Sequence, residues 1–240
     1  MNTIRFDKKN VKMVAHRGAS GLECENSCAA FIAAGNRSYY GIETDVHKTG
    51  DGNYIIIHDD TTGRVAKGPG MTVEKSHFED LRKLSVLDIN GKERGDLQLP
   101  TPEEYFSICR KYEKKAVFEL KNPFTEEEIA EIIQIVSQSG WLDHTIFISF
   151  SYFNVKTVRQ MLPDAEVQFL TSKEITKELV QQLKEDRLSL DVRYDRLNEK
   201  TMQRLKEANI TVNCWTVDDR THAERLVALG VDFITTNCLE

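Results

Sequence analysis

Seven side chains that could perform chemistry stand at the ends of apolar, strand-like segments of this 240-residue chain. They are two histidines, three carboxylates, an arginine and a lysine: His16, Arg17, Glu43, Asp45, His58, Glu119 and Lys121. Carboxylates can hold a divalent cation, arginine and lysine can neutralise a phosphate, and histidine can exchange protons near neutral pH. The set therefore predicts metal-assisted chemistry on a phosphodiester.

The carboxylates carry the metal hypothesis. Alternate residues of a strand share a face, so Glu43 and Asp45 should point the same way. Burying two like charges close together is costly unless a cation lies between them, and carboxylate oxygens are preferred ligands of Mg²⁺ and Ca²⁺. Glu119 would be a third ligand, and Lys121, two residues on, would neutralise phosphate. The alternatives are a solvent-facing acidic pair and a surface salt bridge.

The two histidines could be an acid and a base, because phosphodiester cleavage needs one proton removed and another delivered. The 53–58 segment should pair as a hairpin with the strand before it, since Asp51-Gly52 is a favoured turn. With those two residues at its centre, His58 lies opposite Asp45. With the turn one residue earlier, His58 lies opposite Glu43, again beside the carboxylates. A three-residue loop would break this parity. For His16 the alternative is a satisfied core histidine.

Two further residues suit a substrate. The planar fork of Arg17 matches phosphate oxygens, and Gly18 would let the backbone turn sharply and approach a ligand. Trp215 could be a stacking wall for an apolar or glycerol-like part of the substrate, although an isolated tryptophan can also be core.

Short apolar runs alternate with helical patterns along the chain, which favours βα units. Eight strands are predicted at 12–16, 41–46, 116–121, 145–150, 166–170, 188–192, 211–217 and 232–235. Helices are predicted near 26–35, 102–113, 125–139, 153–162, 173–184, 198–208 and 219–229. Eight βα repeats predict an α/β fold of the TIM (β/α)₈ barrel type, in which strand ends converge on one active site. A doubly wound open sheet is the alternative.

The 53–58 hairpin interrupts the repeat, and residues 59–101 then form an insertion with one predicted helix at 73–84. We interpret the insertion as a cap over the barrel mouth, within a single domain of residues 1–240. Local signals support the helices. Asn26 is predicted to cap the first, and Thr101-Pro102 to start the helix after the insertion.

The composition sets limits on partners. The chain has 40% hydrophobic and 29% charged residues, and its net charge of −6 gives no general attraction to nucleic acid or anionic membrane. The polar N-terminus has no signal-peptide core, and no apolar run suggests a membrane span. Five scattered cysteines without a CxxC pair predict reduced thiols rather than a zinc site. We expect a cytoplasmic protein, and these residues leave its oligomeric state open.

Several short motifs follow one another in a fixed order. They are His16-Arg17-Gly18-Ala19-Ser20-Gly21, Glu25-Asn26-Ser27, Glu43-Thr44-Asp45, Asp51-Gly52, His58-Asp59, Arg64, Pro100-Thr101-Pro102, Glu119-Leu120-Lys121, Trp215-Thr216-Val217 and the closing 230–236. In this order they resemble the glycerophosphodiester phosphodiesterase family over essentially the whole chain. The N-terminal block is the specific part of the resemblance.

The resemblance implies a TIM barrel with an inserted cap after the second strand. It implies hydrolysis of glycerophosphodiesters, such as glycerophosphocholine, to glycerol 3-phosphate and an alcohol with Mg²⁺ or Ca²⁺. The implied roles are metal ligands (Glu43, Asp45, Glu119), an acid–base pair (His16, His58) and phosphate binders (Arg17, Lys121).

Three departures from the family pattern stand out. Cys24 replaces a usual proline and Ser27 a usual threonine, and these are expected to affect loop shape only. Thr236-Asn237-Cys238 stands where an aspartate and a proline are common, which concerns the closing loop of the barrel. Two alternative functions are a lysophospholipid- or phosphoinositide-cleaving phosphodiesterase, which would favour an apolar or basic rim, and a non-catalytic phosphate-binding barrel.

Overall fold

The computed structural model describes residues 2–240 and is built around one nine-stranded sheet. The strands are β1 (Lys12–Ala15), β2 (Gly41–Lys48), β3 (Tyr54–Ile56), β4 (Lys115–Leu120), β5 (Thr145–Ser149), β6 (Glu166–Thr171), β7 (Ser189–Arg193), β8 (Val212–Trp215) and β9 (Phe233–Thr236). All but β3 pair in parallel, and β1 pairs with both β2 and β9, which closes the sheet. The predicted eight-stranded TIM barrel is therefore confirmed, and the open sheet is excluded.

Eight α-helices accompany the strands within the described residues. They are α1 (Cys28–Gly35), α2 (Phe78–Arg82), α3 (Pro102–Lys111), α4 (Glu126–Gln138), α5 (Tyr152–Met161), α6 (Lys177–Glu185), α7 (Glu199–Glu207) and α8 (Arg220–Leu229). All except α2 belong to the outer layer, and their apolar faces form the main core against the strands. Phe31 and Ala34 of α1 are fully buried there, as the helical stripe predicts. None of the helices in residues 2–240 is long and apolar enough to cross a membrane.

The start of α1 corrects one prediction. Ser27, not Asn26, caps this helix, because its side chain accepts a hydrogen bond from the backbone N–H of Ala30. Asn26 has a left-handed backbone, with φ at 51°, and its side chain points to the carboxyl end of β2 instead. The cap predicted at Thr101 is confirmed, as a full capping box with Glu104 and with Pro102 at the first helical position.

The hairpin also differs from both predicted registers. Lys48 pairs with Tyr54 and Val46 with Ile56, so the loop has three residues, Gly50 to Gly52. Gly52 has a φ of 82°, as the three-residue hairpin requires at its last position. This register would place His58 opposite Thr44. The strand ends at Ile56, and Ile57 makes one more backbone hydrogen bond to β2, at Asp45. His58, the next residue, lines the cavity at the barrel mouth.

The segment between β3 and α3 has its own small apolar cluster, which includes Val65, Val73, Leu81 and Leu99. The predicted single helix is two short pieces, a 3₁₀ turn at Val73–Lys75 and α2. The cap function of the insertion, the single-domain organisation of residues 1–240 and the cytoplasmic location stay predictions.

Candidate active site

Three buried carboxylates meet at the carboxyl ends of β2 and β4. Glu43 and Asp45 share the inward face of β2, and Asp45 is paired in register with Glu119 on the parallel neighbour β4. Their relative exposures are 2%, 1% and 7%, and one oxygen from each lies within 4.8 Å of the others. The side chains that the sequence selected for metal binding are thus brought together in the barrel.

Neighbouring cations offset part of the negative charge. The guanidinium of Arg17 has its Nε 3.6 Å from Asp45 Oδ2, and Lys121 Nζ lies 2.9 Å from Glu119 and 3.4 Å from Asp45. In addition, the backbone N–H of Arg17 donates to Glu43 Oε2 at 2.7 Å. Burial and the charge of Asp45 raise the pKa of Glu119 to about 8. Burial and the charges of Asp45 and Glu119 raise the pKa of Glu43 well above its usual value. Burial opposes ionisation of Asp45, but the charges of Lys121 and Arg17 outweigh it and lower its pKa to about 2.

This electrostatic arrangement fits a divalent cation. The Oδ1 atom of Asp45 is buried and accepts no hydrogen bond from any described residue. Glu43 and Glu119 resist ionisation, because they are buried and because the three carboxyl groups are too close together for two cationic side chains to neutralise. A cation between the oxygens would supply the missing positive charge, and all the ligands would be the oxygens that Mg²⁺ and Ca²⁺ prefer.

His16 lies at the end of β1 and lines the cavity. Its Nδ1 is 2.8 Å from Asn237 Oδ1 in the loop after β9. Burial, helped by the positive charge of Arg17, lowers the pKa of His16 to about 4. The ring is therefore neutral at physiological pH, the form in which a histidine can accept a proton.

His58 has a different partner. Its Nδ1 lies 2.7 Å from Asp59 Oδ1, and Asp59 is held by Arg64, whose Nε is 2.7 Å from Oδ2. Arg64 also binds Glu25 with two hydrogen bonds, and Glu25 accepts another from Arg17 at 2.8 Å. Burial lowers the pKa of His58, although the nearby Asp45 favours the protonated ring. An ion-pair chain thus runs from His58 around the mouth to Arg17.

His16, His58, Glu43 and Glu119 line a cavity of about 290 Å³ at the barrel mouth, whereas Asp45 is not among its lining residues. Its polar side is formed by His16, Arg17, Glu43, His58 and Glu119, and its apolar side by Ile148, Phe150, Leu170 and Trp215. Phe150 and Trp215 contact each other edge to face, with ring centroids 5.6 Å apart. Trp215 is therefore a cavity wall. Lys121 is not among the lining residues but is held beside them by Glu119.

Two residues of the site, Asn26 and Asp191, were not predicted from the sequence to take part in binding or catalysis. Asn26 donates to Asp45 Oδ2 at 2.7 Å and accepts from the Thr44 hydroxyl at 2.7 Å, so it fixes the orientation of that carboxylate. The motif Glu25-Asn26-Ser27 drew attention to Asn26, but helix capping was a sufficient reason for an asparagine at that position. Asp191 on β7 also lines the cavity at 2% exposure, and burial followed by the charge of Glu119 raises its pKa well above its usual value. No local motif marks Asp191.

Known proteins share this architecture. A family model described as the glycerophosphoryl diester phosphodiesterase family matches residues 16–240. A protein of Caldanaerobacter subterraneus named glycerophosphodiester phosphodiesterase is 28% identical over 230 residues, covering 94% of this chain and 93% of its own. A phosphodiesterase of Oleispira antarctica, solved with the product sn-glycerol-3-phosphate, superposes with a TM-score of 0.85 at 26% identity and covers 94% and 92% of the two chains. A glycerophosphodiester phosphodiesterase of Parabacteroides distasonis gives 0.78 at 29% identity, covering 95% and 93%.

The barrel, the cavity at its mouth and the similar proteins all indicate the same class of protein. This class is the enzymes that hydrolyse phosphoric diesters. The family model matches nearly the whole chain and therefore identifies one family within this class. The chain belongs to the glycerophosphoryl diester phosphodiesterase family.

Proposed function

We propose that this enzyme hydrolyses glycerophosphodiesters, such as glycerophosphocholine, to glycerol 3-phosphate and an alcohol with the help of a divalent cation. The observation that carries the proposal is that His16, His58, Glu43 and Glu119 line one cavity, while Asp45 completes the buried carboxylate cluster. The product complex of the Oleispira antarctica relative supports the substrate class.

Glu43, Asp45 and Glu119 are the residues that would hold the cation, and their oxygen-only donor set favours Mg²⁺ or Ca²⁺ over zinc. When bound, the cation supplies charge stabilisation at the phosphoryl oxygens. Arg17 adds a guanidinium whose Nε makes no hydrogen bond to any described residue, and Lys121 adds an ammonium group. Both side chains would bind phosphate oxygens and orient the diester in the cavity.

The different partners of the two histidines suggest their roles. His16 is hydrogen-bonded to a neutral amide, and its lowered pKa keeps it ready to take the proton of the attacking nucleophile, which is either water or the glycerol hydroxyl of the substrate. His58 is hydrogen-bonded to the carboxylate of Asp59, which favours the imidazolium and opposes the lowering of the His58 pKa by burial. We assign His16 as the base and His58 as the acid that protonates the leaving alkoxide. Trp215 would pack against the carbon atoms of the substrate.

The decisive experiment measures glycerol 3-phosphate released from glycerophosphocholine by purified protein. The protein is first treated with EDTA and then given Mg²⁺, Ca²⁺ or Mn²⁺. Loss of turnover on chelation and recovery with one of these ions would support the proposal and identify the ion. Full turnover in EDTA, with no bound metal detected, would contradict the role of the three carboxylates.

One observation favours a second candidate substrate. Phe150 and Phe153 are 48% and 51% exposed, and a second cavity lined by Tyr152 and Phe169 shares Phe150 and Leu170 with the first. Such an apolar rim could accept the acyl chain of a lysophospholipid. Comparing kcat/KM for lysophosphatidylcholine and glycerophosphocholine tests this candidate, and a higher value for the lipid would make it the preferred substrate.

A further inference from the structure

The amide of Asn237 lies between His16 and an aspartate of the neighbouring loop. Its Oδ1 is 2.8 Å from His16 Nδ1, and its Nδ2 donates to Asp218 Oδ2 at 2.6 Å. The backbone N–H of Asn237 donates to the other oxygen of Asp218 at 2.7 Å. The hydroxyl of Ser20 donates to the same Asn237 Oδ1 at 2.7 Å. Every polar atom of this side chain therefore has a partner.

The chemistry of these partners fixes which way the amide points. The carboxylate of Asp218 can only accept hydrogen bonds, so the NH₂ group of Asn237 must face it. The amide oxygen then faces His16, and an oxygen can only accept. The hydrogen bond consequently requires the ring proton to be on Nδ1 of His16.

We propose that Asn237, held by Asp218, is a positioning residue that locks neutral His16 in its Nδ1–H tautomer. The lone pair is then on Nε2, the ring nitrogen not engaged by Asn237. This inference rests on the proposed role of His16 as the base, because the wrong tautomer presents an N–H group where a proton has to be accepted. In the Ser-His-Asp triad such a tautomer error costs about 10⁴-fold in turnover.

The arrangement predicts what happens when the side chains of Asn237 and Asp218 are exchanged. Asn237→Asp alone would place two carboxylates where a 2.6 Å amide–carboxylate hydrogen bond now lies, and their repulsion would displace the side chain from His16. In the double variant Asp218→Asn/Asn237→Asp, the new amide donates to the new carboxylate. That carboxylate still accepts from His16 Nδ1 and Ser20, so all the hydrogen bonds are kept. The double variant should therefore work better than the single one.

The tautomer can be read without turnover. In EDTA-treated protein labelled with ¹⁵N-histidine, long-range ¹H–¹⁵N spectra distinguish protonated from unprotonated ring nitrogens. The signals that disappear in His16→Ala are those of His16, which distinguishes them from the signals of the other histidines among the six. We expect protonated Nδ1 in the wild type and in the double variant, and a tautomer mixture in Asn237→Ala. Cys238→Ser is the control and should match the wild type, because this thiol lies in the same loop but is hydrogen-bonded to the backbone carbonyl of Asp218 rather than to His16.

Kinetics with glycerophosphocholine provide the second readout. We expect Asn237→Ala to lower kcat at least ~10-fold with little change in KM. The double variant should recover to within about threefold of wild type at a pH high enough to keep His16 neutral beside the new carboxylate. Wild-type His16 carrying its proton on Nε2 would overturn the inference, as would a double variant no better than Asn237→Asp. If Asn237→Ala does not fold, the inference is tested by comparing Asn237→Asp with the double variant Asp218→Asn/Asn237→Asp. Correct tautomers in a wild type that cleaves no glycerophosphodiester would instead refute the proposed function.

Discussion

Glu119→Gln should stabilise the metal-free protein at alkaline pH while removing its activity. Burial and the charge of Asp45 raise the pKa of Glu119 from 4.5 to about 8. An acid with a raised pKa keeps a proton that the unfolded chain has lost, so its contribution to folded-state stability declines as the pH rises from 4.5 towards 8. Glutamine has nearly the same shape and does not ionise, so the variant should lack this loss. Lys121, at 2.9 Å, reduces the cost but does not cancel it.

The size of the effect follows from the proton balance. Between pH 6.5 and 8 the folded state holds on average about 0.8 proton more than the unfolded state, because Glu119 is half-ionised at pH 8. Over these 1.5 pH units, at 1.36 kcal/mol per proton and pH unit, the cost is about 1.6 kcal/mol. For a chain of this length that corresponds to about 3–7 °C in Tm. His16, with its pKa of about 4, is neutral in both states across most of this window and contributes little.

Thermal unfolding of EDTA-treated protein at several pH values between 6.5 and 8 measures this effect. The Tm of Glu119→Gln minus that of the wild type should grow with pH, while exposed Glu127→Gln should give a constant difference. Adding the activating metal should raise the Tm of the wild type far more than that of Glu119→Gln. Parallel Tm curves for the wild type and Glu119→Gln would refute the reasoning, because they would mean that Glu119 ionises normally in the metal-free fold.

Three other predictions concern the same cavity. His16→Ala and His58→Ala should each lower kcat at least ~100-fold, the usual scale for acid–base catalysis; a folded variant of either, shown by circular dichroism, with near-normal turnover would remove its assignment. Metal affinity measured by titration calorimetry should rise up to about tenfold per pH unit below pH 8, with proton release, because Glu119 must lose its proton to bind; a pH-independent affinity would contradict this. Asn26→Ala should weaken metal binding by about 10–100-fold through loss of its hydrogen bond to Asp45, whereas Asn36→Ala, on the exposed end of α1, should not.

The strands and most helices could be predicted from the sequence because their signals are local. Apolar runs separated by helical patterns gave eight barrel strands within one or two residues of their observed bounds, and Thr101-Pro102 marked the start of α3. The hairpin register failed because Asp51-Gly52 is compatible with both two- and three-residue loops. The prediction that Asn26 caps α1 was wrong because Ser27, one residue on, also suits a cap position. The choice between them depends on the hydrogen bond of Asn26 to Asp45, a contact between distant parts of the chain.

The sequence by itself determined that Glu43 and Asp45 share one face, since side-chain alternation is a property of a single strand. It also determined which residue types end each strand, and so the kind of chemistry available. Only the tertiary structure decided that Glu119 stands beside Asp45, because that contact depends on the register between β2 and β4. The contact between His16 and Asn237 joins residues 221 positions apart and exists because β9 closes the barrel against β1. The pKa values of these groups follow from the same closure, because burial and neighbouring charges arise only once the strands have met.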